Sequence, residues 1–189
     1  MRQQRILEMK LLKNEWLYVS TRRCGTNTLY ALLPGERSHQ YHIVPQERLA
    51  PIHWAVVRNP YDRAVSLWAH AINSNQTILR SLCKNARPSL EIFIEKALLS
   101  NITMYWDQHR WLNTGIVDKT IHLENLVEGV LEITGIPIKN FRANKSKRDK
   151  WETYMNSDTV SLINEWAKND FQYGYTKLLP SETSDAQHD

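Results

Sequence analysis

Apolar and polar positions along the chain switch between a period of two and a period near 3.6, and each switch marks an element. Residues 15–20 read as a short strand, and residues 52–58 as a second one, apolar enough to be covered on both faces as parallel strands are. Between them, residues 26–33 have helical character and stop at Pro34-Gly35. Residues 39–44 read as a short strand or extended segment before Pro45. Beyond the second strand, Ala64, Leu67, Trp68 and Ala71 recur at helical spacing within residues 61–72. Pro60 suits the start of that helix, because its missing N–H would have had no intrahelical partner. Residues 73–88 are polar and irregular. Helices are predicted over 89–99 with Ser89 as N-cap, over 104–112, over 127–134 ending at Gly135 and Pro137, and over 158–169 capped by Asp158 or Ser157. Residues 120–126 supply a further strand. This order predicts an α/β fold: a three-layer P-loop-like domain, its central, mainly parallel sheet flanked by helices and its ligand at the carboxyl ends of the strands. Residues 1–14 read as an N-terminal extension, 15–179 as a single domain and 180–189 as a disordered polar tail.

At 189 residues the chain is long enough for one substantial core, and seven Trp and eight Tyr beside only six Gly argue for dense packing. A formal charge of +4 suits acidic ligands without demanding nucleic acid, and no nucleic-acid partner is expected. Two cysteines, Cys24 and Cys83, make no disulfide framework and point to a reducing compartment. Residues 1–10 hold no long apolar run of the signal or anchor type, so a cytoplasmic protein with no membrane partner is expected. The Asn-x-Ser/Thr triplets at Asn75, Asn101 and Asn144 are then chance matches.

The most specific chemistry lies where strands run into helices. The first strand ends in Thr21-Arg22-Arg23-Cys24-Gly25-Thr26-Asn27-Thr28-Leu29, a basic turn with a glycine, then hydroxyl residues opening a helix. Backbone N–H groups at a helix start point outward, the helix dipole adds positive charge, and Gly25 permits close approach of a ligand. Arg22 and Arg23 add full charge; Thr26 and Thr28 add hydroxyl donors. The second strand ends at Arg58, and Ser66 follows eight residues on within the next helix. An arginine and a serine so spaced can grip one further phosphate, so the two loops together ask for a ligand with phosphates at both ends.

These residues give the chain its resemblance to sulfotransferases that use 3′-phosphoadenosine 5′-phosphosulfate. Arg22-Arg23-Cys24-Gly25-Thr26-Asn27-Thr28-Leu29 resembles the family's loop around the 5′-phosphosulfate, with Arg23 where a lysine is usual. Residues 57–63 through Ser66 are similar to the segment that holds the 3′-phosphate. Asn144-Lys145-Ser146-Lys147-Arg148 and Asn169-Asp170-Phe171-Gln172-Tyr173-Gly174-Tyr175 resemble later segments of the carbohydrate-type and microbial branches. The likeness covers roughly residues 15 to 176. It implies a sulfuryl transfer to a hydroxyl or amine of a saccharide or small metabolite, with the phosphosulfate nucleotide as co-substrate and no metal. By the same resemblance the nucleotide is held by Arg22, Arg23, Cys24, Gly25, Thr26, Asn27, Thr28, Arg58, Ser66, Asn144 and Ser146. Arg23 stabilises charge on the bridging oxygen, although an arginine does not readily donate a proton to a leaving group. The resemblance places a base just after the strand following the first helix, a zone that here is residues 39–44, where His39 and His42 point to opposite faces of an extended segment. His42, beside Ile43-Val44, is the choice, and Gln108 and His109 are expected near the acceptor.

Each assignment has a plainer competitor. Arg58 can serve as a structural ion-pair partner of Asp62, and Lys145, Lys147 and Arg148 as a solvated basic run. His53 and His122 read as structural, and Trp166, Phe171, Tyr173 and Tyr175 as packing. A nucleotide kinase would want Gly-x-x-x-x-Gly-Lys-Ser/Thr, but this first loop has one glycine and no lysine. A cysteine phosphatase built on Cys24 would want an arginine six residues on, where Tyr30 stands. A non-catalytic binder of nucleotide or polyanion is the alternative from another class.

Overall fold

The computed structural model describes residues 11–12, 16–33, 48–74, 81–85, 87–100, 102, 105–139 and 148–182. The chain is α/β and divides into two compact units, Met1–Arg58 with Arg110–Lys145, and Asn59–His109 with Ser146–Asp189.

The first unit is built on a four-stranded sheet in the order β1 (Leu11–Leu12), β2 (Trp16–Val19), β3 (Ile52–Val57), β4 (Lys119–His122). β2, β3 and β4 are parallel, and β1 adds an antiparallel edge from within the stretch expected to be an extension. Register sets Tyr18 beside Trp54 and Val56 beside Ile121. Since side chains alternate across a strand, Trp16, Tyr18, Trp54, Val56 and Ile121 share one face. That face packs with Leu29 and Tyr30 of α1 (Thr26–Leu32) and Val130 of α5 (Leu126–Thr134). Trp54 stacks obliquely on Tyr18 at 4.8 Å and meets Trp16 edge-on at 6.0 Å. Burying side chains of this size stabilises the unit by about 2 kcal/mol or more apiece. α5 lies close over β4 because Gly129 has no side chain: a Cβ there would stand 2.4 Å from Cγ2 of Ile121. The other face carries Leu17, Val19, Ala55 and Val57, all buried, so β2 and β3 read as nearly continuous apolar runs.

β4 is shorter than its expected span of 120–126. It stops at His122, and a 3-10 turn over Leu123–Asn125 follows. The turn brings Leu123 onto the cluster beside Gly25, a contact that a continuing strand would forgo.

The second unit is helical. α2 (Pro60–Asn73) begins with Pro60 in its first turn, and Asn59 caps it by accepting from the N–H groups of Tyr61 (2.9 Å) and Asp62 (3.4 Å). Its Tyr61, Ala64, Val65, Leu67 and Ala71 form one core with Phe93 and Ile94 and with Val160, Ile163 and Trp166 of α6 (Ser157–Trp166). Ser89 caps α3 (Leu90–Phe93) as expected, but the helix then widens into a π-helical turn over Ile94–Leu98, keeping Phe93, Ile94, Ala97 and Leu98 all buried. The cap of α6 is Asn156, one residue before Ser157 and two before Asp158, the two expected caps. Its side chain accepts from the N–H of Thr159, whose hydroxyl accepts from the N–H of Asn156, both at 2.8 Å. Within the expected tail, Pro180–Glu182 forms a 3-10 turn. Among the described residues, no helix is long and apolar enough to cross a membrane.

Candidate functional site

The turn between β2 and α1 is held by hydroxyl groups. Thr21 Oγ1 donates to the carbonyl of Val56 on β3 (2.9 Å), and Thr26 Oγ1 donates back to the carbonyl of Thr21 (3.0 Å), with the Tyr18 hydroxyl 3.4 Å from it. Thr26 thus closes the loop on itself, where a direct role as ligand donor was expected. Thr21, for which the sequence alone suggests no role, ties the loop to the neighbouring strand.

Two residues of the turn occupy left-handed backbone conformations, Arg23 at φ 63° and Gly25 at φ 80°. Gly25 suits that region, and its missing side chain also leaves room for Leu123, whose Cδ1 would stand 2.8 Å from a Cβ. Arg23 has no such licence. An L-residue there costs about 1–2 kcal/mol, and such strain gathers at functional sites. Turns that pair left- and right-handed residues make concavities of backbone N–H groups suited to anions. The N-cap of α1 is Gly25, and no side-chain cap is found there among the described residues. Asn27 is exposed, Arg22 and Arg23 are half-buried, and Thr28 is buried. Cys24 is fully buried in the apolar cluster, its thiol directed at the carbonyl of Arg22 (3.5 Å), which suits packing and not an exposed nucleophile.

Arg58 follows β3 directly. Because β2 and β3 are adjacent and parallel, their carboxyl ends deliver Arg58 and the Arg22–Gly25 turn to the same side of the sheet. There Arg58 Nη1 donates to the carbonyl of Arg23 at 2.8 Å, within the same unit as the strained residue. Asp62, the competitor partner considered for Arg58, is engaged by Arg148. Arg148 is accordingly no member of a solvated run: its side chain is 11% exposed.

Three further expected site residues, Ser66, Gln108 and His109, belong to the second unit. Ser66 is buried in α2, in the second unit, two helical turns beyond the cap. Gln108 is fully buried at the start of α4 (Gln108–Leu112), and its amide donates to Asp170 Oδ2 at 3.1 Å. Asp170 also accepts from the N–H groups of Gln108 (3.1 Å) and His109 (2.8 Å). This carboxylate sets where α4 begins, four residues after the expected start. Burial pushes the Asp170 carboxyl up, while Arg63 and the two N–H groups pull it down. The amide of Gln108 is committed within the fold; the ring of His109 is half-buried, with Nδ1 against the amide of Gln172. The role of Asp170 was foreshadowed only by its place in the closing Asp-Phe segment. His42, Asn144 and Ser146 lie outside the described residues.

The expected structural role of His53 fits its surroundings: the ring is fully buried, and Nε2 accepts from the N–H groups of Leu49 (3.1 Å) and Ala50 (3.0 Å). The fold and the turn together define an α/β protein whose glycine-containing strand–helix junction carries Arg22 and Arg23 and lies beside a third arginine, Arg58. No family model, curated protein or solved structure matches the chain.

Proposed function

We propose that the chain is a sulfotransferase, moving the sulfuryl group of 3′-phosphoadenosine 5′-phosphosulfate to a hydroxyl or amine of a saccharide or small metabolite. The observation that carries the reading is the junction of Arg23 and Arg58. A strained arginine stands in a left-handed turn two residues before Gly25, and the arginine ending the neighbouring parallel strand donates to its carbonyl. The spacing and identity of these residues support a two-ended anionic ligand, with the 5′-phosphosulfate on the Arg22–Thr28 turn and the 3′-phosphate on Arg58. The surrounding three-layer, P-loop-like arrangement is part of the same proposal.

In such a reaction the bond from sulfur to the bridging oxygen breaks as a bond from sulfur to the acceptor oxygen or nitrogen forms. The acceptor proton passes to a base, and 3′-phosphoadenosine 5′-phosphate leaves. Catalysis of this kind is positioning plus charge stabilisation. Arg23 supplies the cation beside the bridging oxygen. The base assigned to His42 and the roles of Ser66, Asn144 and Ser146 rest on the resemblance alone.

The test is transfer of radiolabelled sulfuryl groups from the nucleotide to a panel of saccharides and small hydroxy and amino compounds. Transfer that Arg23→Lys retains and Arg23→Ala loses supports the proposal. Tight binding of the desulfated nucleotide with neither transfer nor release of labelled sulfate supports instead a binding domain without turnover, the reading that an arginine in the lysine position favours.

A further inference from the structure

At the opposite end of β3 from Arg58 lies a buried imidazole that the proposed reaction does not use. His53 is fully buried, and its Nε2 is the acceptor for two backbone N–H groups, those of Leu49 (3.1 Å) and Ala50 (3.0 Å). An imidazole nitrogen that accepts hydrogen bonds carries no proton, so the ring is neutral with its proton on Nδ1. Nδ1 itself is buried and has no hydrogen-bond partner among the described residues.

The main chain around the ring is fastened on three further sides. The His53 N–H donates to Asp118 Oδ2 (2.8 Å), and the Asp118 N–H donates to the His53 carbonyl (2.8 Å). Arg48 grips the Asp118 carboxylate with both terminal nitrogens (3.0 and 2.6 Å) and also donates to the carbonyl of Pro51 (2.7 Å). Among the described residues, Arg48 and Asp118 are the charged groups facing the ring; Leu17, its register neighbour on β2, is apolar. The segment 48–51 is thus clamped at one end by an ion pair and in its middle by a neutral imidazole.

We infer that His53 is a proton-operated latch: protonation of Nε2 turns two accepted hydrogen bonds into N–H against N–H repulsion and releases segment 48–51 from the start of β3. In the closed state the charged ring would stay buried with two backbone N–H groups aimed at its protonated Nε2, so protonation and opening are coupled. Burial and the Arg48 charge both disfavour the proton, which holds His53 below the usual histidine range in the closed state. Arg48 meanwhile holds the Asp118 carboxyl below its usual range, so that carboxylate stays ionised over the pH interval in which the latch works. Residues 34–47, which precede the latch in the chain, include His39 and His42. The inference is independent of the sulfotransferase reading.

The test follows hydrogen exchange at the Leu49 and Ala50 amides from pH 7.5 to 5, expressed as protection relative to the unstructured chain, with ¹⁵N shifts of the His53 ring recorded alongside. The latch predicts the Nδ1–H tautomer at neutral pH and protection at both amides falling by up to tenfold per pH unit below about 6.5. The Val130 amide in α5 should hold its protection over the same interval, and His53→Gln, which cannot titrate, should flatten the Leu49 and Ala50 profiles. An Nε2–H tautomer, or a ring that titrates while both amides keep their protection, would overturn the inference on the wild-type protein alone, whether or not the variant folds.

Discussion

Arg23 places the conflict between folding and function on one residue. Its left-handed backbone favours glycine, yet the proposed chemistry needs a cation there. Arg23→Gly should therefore be more stable than Arg23→Ala by about 1 kcal/mol in urea unfolding, the reverse of the usual order of these residues. Both variants should lose the desulfated nucleotide by tenfold or more, as expected for removal of a charge-assisted contact. If glycine proves no better than alanine, Arg23 is not strained. The basic, glycine-containing character of this turn was legible in the sequence because it is local. The inward commitment of Thr26 was not, since it depends on the Thr21 carbonyl standing 3.0 Å away in a particular backbone path. Nor was the Arg58 contact, which joins residues 35 positions apart in the chain.

Elements were read well where a local signal fixed them and less well where a distant group decided. β3 and α2 appear within a residue of their expected limits, because an apolar run and a Pro-initiated amphipathic pattern are written into their own residues. The start of α4 was missed because Asp170, 62 residues from Gln108, sets it. The same separation makes a prediction. Asp170→Ala leaves two backbone N–H groups and the Gln108 amide without their acceptor, and should destabilise the protein by about 3 kcal/mol in denaturant unfolding. A loss below 1 kcal/mol would mean that α4 is held by other contacts. The early end of β4 has a similar origin: Leu123 turns onto the cluster around Gly25, a contact written nowhere in residues 119–126.

For the molecule as a whole, stability should fall at both extremes of pH. Burial, with the Asp170 and Asp107 charges, pushes the Tyr173 phenol up to about 12. Its ordinary value is about 10, so the folded protein holds a proton that the unfolded chain releases, and stability is lost as pH rises from about 10 towards 12. On the acid side Asp118 behaves oppositely: its depressed value gives stability that is present above the usual carboxylate range and lost as pH falls through the folded value. Urea midpoints across pH should show both declines, with Tyr173→Phe removing part of the alkaline one; an unchanged alkaline slope in that variant would assign the loss to another group. The α/β class with parallel strands was readable from the chain, whereas the division into two compact units was not, because it depends on which distant segments share a core. The central claim is that the junction of Arg23 and Arg58 recognises a nucleotide with phosphates at both ends. Calorimetric titration with 3′-phosphoadenosine 5′-phosphate and with adenosine 5′-monophosphate, on wild type and Arg58→Ala, tests it most directly. The account predicts tight binding that requires the 3′-phosphate and weakens by an order of magnitude or more, about 1.4 kcal/mol, in the variant. Equal affinity for the two nucleotides, or no loss in Arg58→Ala, would contradict it.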